Sequence, residues 1–227
     1  MLAITKKIKT IYPQASLGVL VMKNVINPKH HDALDQCKLE IESDLRDKYA
    51  GLTRTDLKKT EPINAYWNYY KKFKKSYHVL FQLESIVLKN KSIPKVAALV
   101  EAMFMAELKN LLLTAGHDLD AIELPIKLDV AEGTEKYTLL NGQENGLLSG
   151  DMMISDSHGI ISSIIYGPDN RTIITPDTRN VLFTVYAPPG VKNSQVLQHL
   201  QDIKDYVQII KPESEIERLK VYNCTEA

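Results

Sequence analysis

The chain has no phosphate-binding glycine loop, no Gly-x-Gly-x-x-Gly fingerprint and no Cys-x-x-Cys pair. Nucleotide, dinucleotide and zinc enzymes of the familiar kinds announce themselves by those devices, so they are disfavoured and no cofactor is expected. Cysteine is scarce: Cys37 and Cys224 stand far apart, the second in what reads as a loose tail over 223–227. Two distant thiols make no disulfide framework, and a reducing cytoplasm is the expected setting. Net charge is also missing. Lys plus Arg and Asp plus Glu are 28 each, so no global field recommends a polyanion, DNA is not expected, and any nucleic-acid contact must be local. Finally, no apolar run approaches the ~20 residues of a membrane span, and the N-terminus lacks an apolar core of signal-peptide length. No membrane partner is expected, and the glycosylation-type triplets at Asn90, Asn170 and Asn223 read as chance matches.

What is present is an ordinary soluble composition, 44% hydrophobic and 25% charged over 227 residues. It predicts one domain over 1–227, helix-rich to 115, strand-rich over 116–187, with a closing helix at 191–211. Leu17 to Met22 reads as a buried strand. Asn27-Pro28 predicts the start of a helix that carries Leu34, Cys37, Ile41 and Leu45. From Pro62, Ile63, Tyr66, Trp67, Tyr70 and Phe73 fall on one side of a helix, and another helix over 79–89 carries Leu80, Leu83, Ile86 and Val87. A long apolar helix is expected from Ser92-Ile93-Pro94. Beyond Gly116 the period changes to that of strands, with runs at 124–130, 137–140, 152–154, 160–166, 172–174 and 181–186. Asn141-Gly142 signals a hairpin. Val196, Leu200, Ile203, Val207 and Ile210 then form the cleanest helical stripe, and the segment to Val221 predicts a short helix or a last strand. Helices first and strands second make an α+β fold.

Several constellations bear on chemistry. Residues 58–75 hold six lysines against the single acid Glu61, among aromatics. Single-stranded nucleic acid is bound by such a mixture, which makes Lys71, Lys72, Lys74 and Lys75 candidate contacts. At helical spacing, however, the rings face a core and the lysines face water. His30-His31-Asp32 diverges too much on a helix to hold a metal. His117-Asp118-Leu119-Asp120 sets an imidazole beside two carboxylates at a junction where an acid or base can be tuned, or is simply a turn. Asp156-Ser157-His158-Gly159 reads as a hairpin turn rather than a triad. Arg171, Thr172, Thr175, Thr178 and Thr184 suit a carboxylate, phosphate or ribose edge, or are ordinary strand residues.

From Ile63 to Ala187 the chain resembles a known family. The resemblance is carried in order by Tyr66-Trp67-x-x-Tyr70, Lys91-Ser92-Ile93-Pro94, Leu99-Val100-Glu101-Ala102, Asp118-Leu119-Asp120-Ala121-Ile122, Glu135-Lys136-x-x-x-Leu140-Asn141-Gly142, Ser155-Asp156-x-x-Gly159 and Thr175-x-x-Thr178-Arg179-Asn180-Val181-Leu182. Together they look like the B3/B4 editing domain of the phenylalanyl-tRNA synthetase beta chain, and closely like free-standing proteins made of it alone. The resemblance implies a three-layer sheet/sheet/helix fold with a site in a cleft of the strand-rich half. In the synthetase that cleft hydrolyses tyrosine misattached to the phenylalanine tRNA, mainly by positioning a water and the terminal ribose. At three places this sequence departs from the pattern. The histidine of the synthetase's His-Ala-Phe-Asp-Leu-Asp motif falls on Ala115, with His117 in the phenylalanine place; the glycine-rich pocket floor falls near Ile164 and Ile165; and the tyrosine-reading glutamate falls at Thr184.

The ligand-pocket candidates are therefore His117, Ile164, Ile165, Tyr166, Arg171, Thr172 and Thr184, with no catalytic residue assigned. Two functions follow from the resemblance. One is binding of tRNA or aminoacyl-tRNA, with trans-editing deacylation as the enzymatic version. The other is non-enzymatic binding of a small amino-acid-like or nucleoside ligand. A third, weaker reading makes the aromatic helix near Trp67 a protein-interaction surface.

Overall fold

The structure is a computed structural model that describes residues 2–225. In chain order the elements are β1 (Leu2–Ile4), α1 (Lys6–Ile11), β2 (Ser16–Lys23), α2 (Asp32–Lys48), α3 (Arg54–Lys59), α4 (Ile63–Lys72), α5 (His78–Val87), α6 (Ala98–Asn110), β3 (Leu113–Asp118), β4 (Ile126–Val130), β5 (Lys136–Thr138), β6 (Glu144–Gly146), β7 (Met152–Ser155), β8 (Ile160–Ser163), β9 (Gly167–Pro168), β10 (Val181–Ala187), α7 (Asn193–Ile210) and β11 (Glu215–Asn223).

The sequence Val-Leu-Phe-Thr-Val-Tyr-Ala of β10 lacks the polar alternation of a half-exposed strand, and all seven residues are buried. A strand of that kind must be covered on both faces. Here it lies inside a four-stranded sheet of order β11-β2-β10-β3, antiparallel throughout. One face receives α6 and α7. The stripe Val196, Leu200, Ile203, Val207 and Ile210 of α7 is wholly buried. Its close seating requires Gly18, where a β-carbon would stand 2.6 Å from Val196 Cγ1. The other face meets a second, five-stranded sheet of order β1-β4-β7-β8-β9, in which β1 joins β4 in parallel and the remaining pairs are antiparallel. Tyr186 of β10 crosses between the sheets to Ser162 of β8, with the hydroxyls 2.6 Å apart. The layers are thus helices, sheet and sheet, as the resemblance implied. β5 and β6 form a separate hairpin around Asn141-Gly142.

The two sheets are fastened at one end by α4. Its aromatic face is buried, and each buried hydroxyl reaches a backbone group or side chain that would otherwise lack a partner. Tyr66 accepts from Leu113 N–H at 3.1 Å and donates to the Tyr186 carbonyl, closing the last rung of the β3–β10 ladder. Tyr69 accepts from Met152 N–H at 2.7 Å and donates to Asp151 at 2.8 Å, and Tyr70 donates to the Ile164 carbonyl at 2.6 Å. Burial pushes the Asp151 carboxyl up to about 7. Tyr77, at the entrance to α5, stacks on Tyr66 with ring centroids 4.4 Å apart and donates to the Leu111 carbonyl.

Some expectations shift. Asn27 does not cap α2, which begins at Asp32 behind His31; its Oδ1 instead accepts from Leu99 N–H at 2.9 Å in the first turn of α6. That helix starts at Ala98 rather than 92–94, because the preceding segment is held extended: Ile93 N–H donates to Glu42 at 2.7 Å and Val96 N–H to Glu101 at 2.8 Å. Residues 172–174 are irregular, and the strand expected over 160–166 ends at Ser163. The segment after α7 is a strand, and Cys224 beyond it is buried, its N–H bonded to Ala15 O at 3.1 Å. It is therefore not part of a loose tail; residues 226 and 227 lie outside the described residues. Among the described residues no helix is long and apolar enough to cross a membrane.

Replacing Tyr66 by Phe keeps the ring stack but leaves Leu113 N–H and the Tyr186 carbonyl unpaired in the interior. Chemical denaturation of Tyr66→Phe is expected to show a loss of about 1–3 kcal/mol; an unchanged midpoint would contradict the closing role of this hydroxyl.

Candidate functional site

Most of the polar residues expected at a pocket are committed to one another. His117 on β3 is fully buried, with Nδ1 2.7 Å from Thr172 Oγ1, and the Thr172 hydroxyl donates to Asp169. With that one hydroxyl proton directed at Asp169, the hydrogen between His117 and Thr172 must come from the imidazole, which fixes the Nδ1–H tautomer. Nε2 has no partner among the described residues. Burial, reinforced by the field of Arg171, holds the imidazole down at about 3, so it stays neutral. Arg171 is equally occupied: Nη1 donates to Ala121 O at 2.8 Å, Nη2 to Asp156 at 2.9 Å, and Nε lies 3.6 Å from Asp169. Asp156 also accepts from Glu123, His158 and Gly159 N–H. Burial alone would raise its carboxyl, but these donors and Arg171 outweigh burial and hold it low. Asp118 accepts from the Thr178 hydroxyl at 2.6 Å.

The other expected residues lie in or against the core. Ile164 is 1% exposed and Thr184 0%, with the Thr184 hydroxyl 3.4 Å from Ala115 O. Ile165 and Tyr166 are partly buried against the core. Lys71, Lys72, Lys74 and Lys75 are exposed, as expected, but the ring faces near them are already occupied. Lys72 Nζ sits 5.2 Å from the centre of Tyr12, Lys75 Nζ 5.2 Å from Tyr166, and Lys58 Nζ 4.3 Å from Trp67, itself partly buried.

The open space lies elsewhere. A cavity of about 310 Å³ opens between the sheets at their opposite edges, around β11 and β2 on one side and β1 and β4 on the other. That is near the lower end of small-molecule sites. Its floor follows the pairing register: Val21 and Leu182 are directly opposed across β2 and β10, Val19 belongs to the next row, and Arg218, opposite Val21 on the edge strand β11, stands at the rim. Leu2, Ile126 and the β3–β4 connection, through Leu119, Ile122 and Leu124, supply an apolar wall. Polar groups are confined to the rim. Lys23 pairs with Glu217 at 2.7 Å across β2 and β11, and Glu217 holds the lysine's proton above its ordinary range. Asn180 Nδ2 donates to both Asp120 oxygens at 2.9 Å, and Arg218 Nη1 donates to Tyr222 Oη at 2.9 Å.

None of His117, Ile164, Ile165, Tyr166, Arg171, Thr172 or Thr184 lines this cavity. His117 ends the same cross-strand row as Arg218, Val21 and Leu182, one strand beyond the cavity. Sequence reasoning missed Leu2, Lys23 and Arg218. β1 reaches the site only through a long-range parallel pairing, and in β11 the register shift between Ile216 and Arg218 sets Arg218 opposite Val21, on the face that regular alternation from Ile216 would deny it.

These features define an α+β domain with an intersheet ligand-sized cavity. The B3/4 domain model matches residues 63–206, more than half of the chain, and the protein belongs to that family. No curated protein matches the chain. Among solved structures it is similar to an N-terminal fragment of the phenylalanyl-tRNA synthetase beta-subunit from Pyrococcus horikoshii. That similarity has a TM-score of 0.48 at 15% identity and covers 96% of this chain and 54% of the fragment, so the chain spans about half of that fragment.

The depressed His117 pKa has a testable consequence. The unfolded imidazole takes up a proton near pH 6.5, whereas the folded one resists until about 3. Its contribution to stability is complete above pH 6.5 and is lost as pH falls through the window below, by up to about 1.4 kcal/mol per pH unit. His117→Asn keeps a donor toward Thr172 and cannot titrate. Urea midpoints between pH 7 and 4.5 should fall more steeply for the wild type than for this variant, and parallel profiles would contradict the assignment.

Proposed function

We propose that this B3/4 domain is a binding module for a small ligand held in the intersheet cavity, in a chain related to synthetase editing domains but without tyrosine-type deacylation. One observation carries the reading. Of the positions to which the resemblance assigns the substrate pocket, Ala115, Ile164 and Thr184 are packed interior and Ile165 is partly buried against the core, while the open cavity of about 310 Å³ stands at the other edge of the same sheets. The chemistry of the cavity agrees. Its lining sets apolar side chains, Leu2, Val19, Val21, Ile126 and Leu182, beside a few polar groups, Lys23, Asp120, Asn180, Glu217 and Arg218, the combination that holds and orients a small ligand.

A second reading, contact with tRNA and trans-editing of a misacylated species, draws support from the family and from exposed Lys71, Lys72, Lys74 and Lys75, none of which forms an ion pair among the described residues. Zero net charge weighs against it as the main function. The two separate on incubation with a panel of misacylated tRNAs together with tRNA binding at two salt concentrations. The binding-module reading predicts no deacylation above the uncatalysed rate and no salt-sensitive tRNA retention. Turnover of any one species would overturn it in favour of trans-editing.

A further inference from the structure

Two charges at the rim of the intersheet cavity form no contact ion pair among the described residues. Arg218 forms no contact ion pair among the described residues: its Nη1 is bonded to the Tyr222 hydroxyl, and Glu217, which is in contact with Lys23, acts on it only through its field. Asp120 likewise forms none: its oxygens take hydrogens from the neutral Asn180 amide and, through Lys23, feel a positive field only at longer range. The remaining two charged groups, Lys23 and Glu217, neutralise each other at 2.7 Å. The cavity therefore presents one cation and one anion without a charged partner in contact, above an apolar floor of Val19, Val21 and Leu182.

Each candidate ligand class meets that pattern differently. A nucleoside has no charge for either group. A phosphate ester or other anion would satisfy Arg218 while facing Asp120, and a polyamine would do the reverse. Only a ligand carrying both signs matches both groups. The Arg171 guanidinium of the same domain is no competitor, since it is already committed to Asp156, Asp169 and the Ala121 carbonyl.

We propose that the cavity takes a small zwitterion with an apolar body, its carboxylate on the fork of donors of Arg218, its ammonium on Asp120, and its body against Val21, Leu182, Leu2 and Ile126. A guanidinium suits a carboxylate because it offers parallel N–H donors. The proposal rests on the small-ligand reading of the cavity and names the ligand's chemical class.

The test is amide-resolved NMR titration of the intact chain with L-leucine, N-acetyl-L-leucine, L-leucine methyl ester and adenosine, in the wild type and in Arg218→Met and Asp120→Asn. L-leucine should shift amides of β2, β10 and 119–126 saturably, and masking either charge should weaken binding roughly tenfold, the order expected for one charge-assisted hydrogen bond at a solvent-exposed rim. Arg218→Met should erase the discrimination against the methyl ester alone, and Asp120→Asn that against the N-acetyl derivative alone. Equal binding of the masked derivatives, binding of adenosine only, or unchanged ratios in both variants would overturn the zwitterion while leaving the cavity a ligand site. If no probe shifts these amides, the small-ligand reading falls and the proposal with it.

Discussion

The hydroxyls of the α4 tyrosines are the constraint on which the arrangement of this domain turns. A phenol buried beside sheet ends must find a partner or incur the full desolvation penalty. Tyr66 meets it on the last rung between β3 and β10, Tyr69 on Asp151 and the start of β7, and Tyr70 on the carbonyl after β8. One helix thereby fixes both sheets along the side where β8 and β10 approach, where Tyr186 and Ser162 also join. Among the described residues the opposite side has no such fastening, and there the sheets part around Leu2, Val19, Val21 and Ile126.

The face of the four-stranded sheet that looks toward its partner can be read as rows. Arg218, Val21, Leu182 and His117 make one row, and Lys220, Val19, Thr184 and Ala115 the next. Of the residues that the family resemblance points to, Ala115, His117 and Thr184 lie in these rows on β3 and β10 and are buried; the cavity occupies the β11 end. Thr184 and Ala115 are direct partners across the ladder and bring a small hydroxyl and a methyl group together in packed surroundings.

Legibility followed the range of the interactions. The α7 stripe and the unbroken apolar run of β10 declared themselves, because a helix face and a doubly covered strand leave a local period or its absence. The α4 tyrosines were readable as core for the same reason, but not the carbonyls their hydroxyls would meet. Asn27 looked like a cap for the nearest helix and caps one that begins about 70 residues later, since an amide records no direction in the sequence. Helix or strand could not be decided for β11, whose bulge before Arg218 erases the alternation. The cavity was the least legible part, being assembled from the first strand, the last strand and a mid-chain connection that no local pattern links. Conversely, His117, Thr172 and Arg171 looked like ligand residues because their chemistry is versatile; the fold uses that versatility internally, in a chain running through Asp169 and Asp156.

The claim that the sheets are sealed at the α4 side and open at the β11 side can be tested without any ligand hypothesis, because xenon enters apolar cavities regardless of charge. Diffraction from a crystal pressurised with xenon should show gas between Leu2, Val21, Ile126 and Leu182 and none around Ala115, Ile164 and Thr184. Xenon at the latter residues, with the former dry of it, would contradict the account.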